Sequence, residues 1–385
     1  MSTPVLQSRL PQVGTTVFTT MSNLASRHQA VNLGQGFPDF GCDPRLPALV
    51  TDAMAAGHNQ YPMMTGVPAL RAAVAAKIAA LYGHAYDVDS EITITSGASQ
   101  ALMTAILCAV HPGDEVIVIE PAYDLYLPAI ALAGGVAVPV AMEVAENGYS
   151  IAWARVAAAV SARTRMIVIN SPHNPSGTIL RRADLDALAA IVRGSEILIL
   201  SDEVYEHMVF DGEAHESVCR HAELAARAFV VSSFGKTYHV TGWKVGYIAA
   251  PASLMAEYRK VHQYNVFTVN TPMQHAIAAY MNDPAPYLEL PDFYQAKRDL
   301  FRAGLAGSRF TLLPADGTYF QCVRYDAISD MAEGEFARWL TVEAQVAAIP
   351  MSAFYRDGFE SGIVRFCFAK QDPTLRLALE RLARL

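Results

Sequence analysis

Cysteine is scarce. Cys42, Cys108, Cys219, Cys322 and Cys367 are the five in 385 residues, and no two form a C-x-x-C pair. An odd, scattered set argues against a disulfide framework or a zinc site, and it fits a reducing compartment. Each reads best as a small buried apolar residue. Long apolar runs are missing too. The most apolar stretch, Ala129 to Met142, is too short to span a bilayer and is broken by Gly134, Gly135 and Pro139. The opening MSTPVLQSRLPQVG lacks the apolar centre of a signal peptide. A cytoplasmic protein with no membrane partner is expected. Charge of one sign is nowhere concentrated: 29 Lys and Arg stand against 37 Asp and Glu, and the basic residues form no stripe. That pattern argues against nucleic acid as a partner. Low-complexity tracts, internal repeats and Gly/Ser linkers are absent.

What is present is an ordinary globular composition, 52% hydrophobic and 17% charged, long enough for one large domain and a smaller one. From residue 91 a rhythm sets in. Short β-rich runs, EITIT (91–95), EVIVIE (115–120), MIVIN (166–170), EILILS (196–201), FVVSS (229–233) and VGYIAA (245–250), alternate with Ala/Leu-rich segments such as Gln100–Val110 and Arg182–Val192. Most runs are apolar on both faces, as strands covered by helices on both sides must be. An α/β fold with a mostly parallel sheet follows. After residue 280 a helical stretch, 290–306, leads into FTLLP, TYFQCVRY, VAAIP and IVRFCFA. These predict a smaller α+β domain. The expected division is 1–42, packing with the small domain; 43–280, the large domain; and 281–385, the small one.

Unusual residues gather just after the predicted strand ends, the edge where open α/β sheets bind ligands. Ser96-Gly97-Ala98-Ser99-Gln100 joins a strand to a helix whose first N–H groups could hold a phosphate; by itself a tight turn explains it. SPHNPSG, Ser171 to Gly177, offers Asn174 between two prolines that fix an irregular backbone. In SDEVY, Asp202 ends an almost wholly apolar strand, which is costly unless a cation meets it. In SSFGKTYHVTGWKVGY, Lys236 follows a buried strand by a few residues. Partial burial there would favour the neutral, nucleophilic amine.

Taken together and in this order, these segments resemble the class I/II aminotransferases, fold-type I enzymes that depend on pyridoxal 5'-phosphate. The resemblance runs from VNLGQGFPDF (31–40) to VRFCFAK (364–370). SSFGKTYHVTGWKVGY and AIPMSAF place it nearest the branch of kynurenine aminotransferases, glutamine transaminase and bacterial methionine aminotransferase. The resemblance implies a large and a small domain, L-amino acid and 2-oxo acid substrates, and a homodimer. It assigns Lys236 as the lysine that holds the cofactor and moves the proton. Asp202 becomes the partner of the ring nitrogen, with Tyr205 and Asn174 at the phenolic oxygen and Tyr123 on the ring face. Ala98, Ser99, Ser233 and Lys244 would hold the phosphate, and Tyr61 would reach the phosphate of the neighbouring subunit. The family most often has Arg at the position of Lys244, and a lysine cannot make its bidentate contact. Arg365 would grip the substrate carboxylate beside Asn174 and Gly36. Phe18, Phe37, Tyr61 and Phe354 would line an apolar pocket for a methionine or aromatic side chain. A β-lyase cleaving cysteine conjugates needs the same residues. Less favoured alternatives are a non-enzymatic cofactor-binding regulator, which would need a DNA-binding domain, and a lysine aldolase, which would need no Asp202.

Overall fold

The computed structural model describes residues 6–146 and 148–385. A helix, Val17–Arg27, starts at Thr16, whose side chain accepts a hydrogen bond from the amide of Thr19, and leads into β1 (Val31–Asn32). The main sheet takes β2 (Ile92–Thr95), β3 (Glu115–Glu120) and β4 (Val136–Ala141). After a hairpin of β5 (Glu143–Ala145) and β6 (Gly148–Ser150) it resumes with β7 (Thr164–Asn170), β8 (Leu198–Asp202), β9 (Ala228–Ser233) and β10 (Gly246–Ala249). Its order is β2-β10-β9-β8-β7-β3-β4. All neighbours are parallel except β10, which is antiparallel to both β2 and β9.

The doubly apolar runs became the strands they predict, because both faces are covered: every residue of β2, β3 and β8 is buried. The helix Arg182–Val192 has the predicted bounds and opens on a capping box in which Asp184 accepts from the amide of Arg181. Within the main sheet, one strand was not predicted. β4 carries Pro139 and follows Gly134-Gly135, which read as a break; as an edge strand it tolerates the missing N–H.

The second sheet has β11 (Thr311–Leu312), β12 (Phe320–Arg324), β14 (Ile349–Pro350) and β15 (Ile363–Cys367), in the order β11-β12-β15-β14, all antiparallel. The run VAAIP, read as one strand, splits at Ala348. Its first two residues, β13 (Val346–Ala347), pair in parallel with β1, and the next two join the second sheet. That split ties the N-terminal segment to the C-terminal third of the chain. The amide of Cys367 also donates to the carbonyl of Leu33. No helix among the described residues is long and apolar enough to cross a membrane, and none of their His, Cys, Asp and Glu clusters could hold a metal ion.

Candidate active site

The C-terminal ends of β2, β7, β8 and β9 share one edge, and β10 starts there, with Gly246 opposite both Thr95 and Ser233. A cavity of about 280 Å³ opens at that edge. Gly246 has no room for a side chain: a Cβ would lie 2.7 Å from the Ser232 carbonyl oxygen and 3.1 Å from the amide of Ala98.

Asp202 forms one wall. It is 3% exposed. Its Oδ2 accepts from the Tyr126 hydroxyl at 2.7 Å and its Oδ1 from the Val204 amide at 3.3 Å. Neither partner is a cation. Burial pushes the carboxyl up to about 6, although the Tyr126 and Val204 hydrogen bonds pull it down. Asn170, which ends β7, donates to the Asp202 carbonyl at 2.8 Å and accepts from the amide of Asn174 at 2.8 Å. It thus pins the SPHNPSG turn to the end of β8. Tyr205, in the turn after β8, is 2% exposed, with its ring edge-on to Tyr319 at 5.1 Å. Burial pushes its phenol up.

Arg365 forms another wall, from inside β15. It is 1% exposed, and its guanidinium lies 3.8 Å from the ring centre of Phe320, 4.9 Å from that of Phe354 and 5.6 Å from that of Phe18. Nη1 donates to Asn174 Oδ1 at 2.5 Å and Nη2 to the Gly34 carbonyl at 3.4 Å, while the buried Nε has no partner. Both partners are neutral. Burial works against its charge. A guanidinium held dry without a carboxylate is a receptor for one.

Lys236 sits in the short helix Phe234–Thr237 that follows β9. Its Nζ donates to the Gly36 carbonyl at 2.9 Å and to the Tyr319 hydroxyl at 2.6 Å. Burial brings its ammonium down to about 8. Arg365 and Lys244 push the same way, and Cys367 and Asp202 oppose them. Gly36 comes this close because it lacks a side chain; a Cβ would sit 2.9 Å from Phe320 Cζ.

The remaining side holds an anion cup. The helix Gly97–Ala109 begins directly after β2, and Gly97 takes φ +70°, a left-handed turn that favours glycine. Ser96 gives the first turn no side-chain cap, so the N–H groups of Ala98 and Ser99 stay open toward the cavity. Ser233, Lys244 and Tyr123 line the same space.

Twelve of the fifteen residues assigned to the site line this cavity; Tyr61, Phe37 and Phe354 do not. The Tyr61 ring is 80% exposed and edge-on to Phe267 at 5.4 Å. Of the aromatics expected around the substrate, Phe18 lines the cavity and Phe354 packs behind it at 5.8 Å. Phe37 is instead 44% exposed, below the Lys370 ammonium. Sequence reasoning passed over Asn170, Tyr126, Tyr319 and Phe320. A legible signal existed only for Asn170, a polar end to an apolar strand.

A second polar cluster lies behind the same turn. Glu206, 4% exposed, accepts from Lys77 Nζ at 2.5 Å, Ser232 Oγ at 2.6 Å and Tyr247 OH at 2.9 Å on Oε1, and from Tyr82 OH at 2.5 Å on Oε2. Burial alone would raise its pKa. The Lys77 charge and these hydrogen bonds outweigh it and hold the carboxyl well below the usual range.

Comparison with known proteins gives the family. The family model for aminotransferase class I and II matches residues 28–382. The methionine aminotransferase of Escherichia coli K12 is 52% identical over 380 residues, 98% of each chain. A crystal structure from Escherichia coli, described as having a methionine aminotransferase function, superposes with a TM-score of 0.97 at 51% identity over 100% of both chains. The N-succinyldiaminopimelate aminotransferase of Mycobacterium tuberculosis superposes at 0.94 with 40% identity, covering 99% of this chain and 100% of that one. With a lysine, an unpaired carboxylate and an unpaired guanidinium gathered at the sheet edge, this chain belongs to the class I and II aminotransferase family and is an aminotransferase.

Proposed function

We propose that the enzyme uses pyridoxal 5'-phosphate to move the amino group of L-methionine, or of a similar apolar or aromatic L-amino acid, to a 2-oxo acid, and that it works as a homodimer. One observation carries this reading: a buried carboxylate without a counter-ion and a buried guanidinium without a carboxylate line one cavity with the amine of Lys236. A doubly functional ligand, cationic at one end and bearing a carboxylate at the other, satisfies both.

The residues present fit that cofactor. Asp202 would hold the proton on its ring nitrogen, which explains why a carboxylate pushed up to about 6 stands there without a cation. Ala98, Ser99, Ser233 and Lys244 would hold the phosphate, Asn174 and Tyr205 the phenolic oxygen, and Tyr123 the ring face. When bound, the cofactor supplies an electron sink for the charge left by the departing α-proton. Lys236 would take that proton and return it; an amine held near 8 is poised for both directions at neutral pH. Arg365 would fix the substrate carboxylate, so that the bond to be broken is presented in one orientation. Tyr61, exposed in the single chain, would complete the phosphate site of the partner subunit. This reading divides the chain into a cofactor-binding body, 43–280, and a smaller body, 281–385, joined by 1–42 through β1.

The donor follows from what is left over. Lys236, Lys244 and Arg365 are the cations lining the cavity, and each has a role. None remains for a second carboxylate, whereas Phe18 and Phe320 offer apolar surface. That favours methionine, as in the name of the Escherichia coli relative, over a donor with several carboxylates such as N-succinyldiaminopimelate. An apolar pocket separates similar side chains only modestly, so several donors are expected.

The test is the visible absorbance of the purified protein with the cofactor, before and after L-methionine is added without an acceptor. A yellow protein that bleaches, and regains colour with a 2-oxo acid, meets the proposal. One that stays colourless with the cofactor supplied refutes it, and one that releases pyruvate from a cysteine conjugate while remaining yellow is a β-lyase instead.

A further inference from the structure

Tyr319 lies immediately before β12, is fully buried, and does not line the cavity. Its ring is packed by Tyr205 at 5.1 Å, Tyr294 at 5.6 Å and Phe320 at 4.9 Å. The hydroxyl alone reaches out. It accepts from Lys236 Nζ at 2.6 Å and donates to the Gly36 carbonyl at 2.5 Å, and Lys236 Nζ donates to that same carbonyl at 2.9 Å. Three polar atoms therefore close a triangle, and its third member comes from the N-terminal segment.

We infer that the Tyr319 hydroxyl and the Gly36 carbonyl form the resting cradle of the Lys236 amine whenever that amine is free, and that Tyr319 is a positioning residue for the proton transfer. A hydroxyl suits this task because its hydrogen can rotate. Toward an ammonium it turns its lone pair and gives its hydrogen to Gly36, as here. Toward a neutral amine it can turn the hydrogen to the nitrogen lone pair. One partner thus serves Lys236 before and after it takes a proton. The hydrogen bond from the ammonium is charge-assisted and the stronger of the two. Losing the hydroxyl therefore removes more from the charged form than from the neutral one. The other groups facing Lys236 are Asp202, Tyr205, Lys244, Arg365 and Cys367, and among them the Tyr205 phenol also interacts with that of Tyr319. Close by, the buried hydroxyl of Tyr294 has no partner, which makes it a matched control.

This inference rests on the role proposed for Lys236. The test compares wild type, Tyr319→Phe and Tyr294→Phe, as full-length protein loaded with the aminated cofactor, pyridoxamine phosphate, so that Lys236 carries a free amine. Its acylation by acetic anhydride is followed against pH by mass spectrometry of the peptide containing Lys236. In Tyr319→Phe the midpoint is expected to fall by about one pH unit; in separate samples loaded with pyridoxal phosphate, the single-turnover rate with L-methionine should fall by about tenfold or more with the half-saturating methionine concentration unmoved. Tyr294→Phe should match wild type in both. A Tyr319→Phe midpoint that stays put or rises overturns the inference. If that variant misfolds, Tyr319→Met, which also lacks the oxygen, is read in its place. A wild type that never turns yellow with pyridoxal phosphate would strike the Lys236 reading itself, a result distinct from any difference among the variants.

Discussion

Asp202 and Glu206 stand four residues apart on one turn, both nearly devoid of solvent, yet they are opposites. Glu206 is closed: an ammonium and three hydroxyls surround it, and its proton affinity drops. Asp202 is open: one hydroxyl and one amide meet it, no cation does, and its affinity climbs to about 6. SDEVYEH holds both of these acids beside Glu203, and the sequence does not say which of the two lacks an internal partner. The difference lies in what the rest of the chain delivers to each. Lys77 and Tyr82 come from the helix Pro68–Tyr82 to satisfy Glu206, and nothing comparable is sent to Asp202. A buried charge completed from within holds the fold together; a buried charge left incomplete awaits something from outside.

The contrast can be broken at its strongest point first. Asp202→Asn should lower the transamination rate by about 10² to 10³, since the amide cannot hold a proton on the ring nitrogen; a stopped-flow half-reaction with L-methionine measures it. Glu206→Gln should instead act on the fold, costing about 3–5 kcal/mol because Lys77 is left buried without a counter-ion. Denaturant unfolding reads this, and a loss under 1 kcal/mol would mean Glu206 is no structural anchor. The third prediction concerns pH. The native pKa of Asp202 lies above its ordinary value of 3.8, so the folded state binds the extra proton and stability falls as pH rises through about 4 to 6. In cofactor-free protein Asp202→Asn should therefore be the more stable form at pH 7.5, by up to about 3 kcal/mol, with no advantage at pH 3.5. For Glu206 the sign reverses: its contribution is complete above its ordinary 4.5 and fades as pH falls below that. Smallest is Tyr61→Phe. If the partner's phosphate is its missing contact, cofactor release should quicken by about tenfold, the lower end of the worth of a hydrogen bond to a charged group.

The legible portion of the molecule was set by short-range rules. β2, β3, β7, β8 and β9 announced themselves as doubly apolar runs, and Asp202 and Lys236 as charges where such runs end. β1 was illegible because a two-residue strand has no periodicity, and VAAIP, which holds β13 and β14, concealed a change of partner at Ala348. Tyr126 and Tyr319 escaped for a related reason. A tyrosine inside an apolar segment looks like packing, and only the folded chain shows that one hydroxyl meets Asp202 and the other Lys236. Tyr61 was singled out by motif, yet its use requires a second chain.

The N-terminal segment has one more consequence. The Gly34 carbonyl meets Arg365 and the Gly36 carbonyl meets Lys236 and Tyr319, so residues made among the first wait for residues made among the last. All seven strands of the main sheet precede residue 250 in the chain, whereas Tyr319 and Arg365, which meet that segment, come after residue 300. A nascent chain halted near residue 300 would lack both Arg365 and Tyr319, and so both the guanidinium of the cavity and the hydroxyl that holds Lys236.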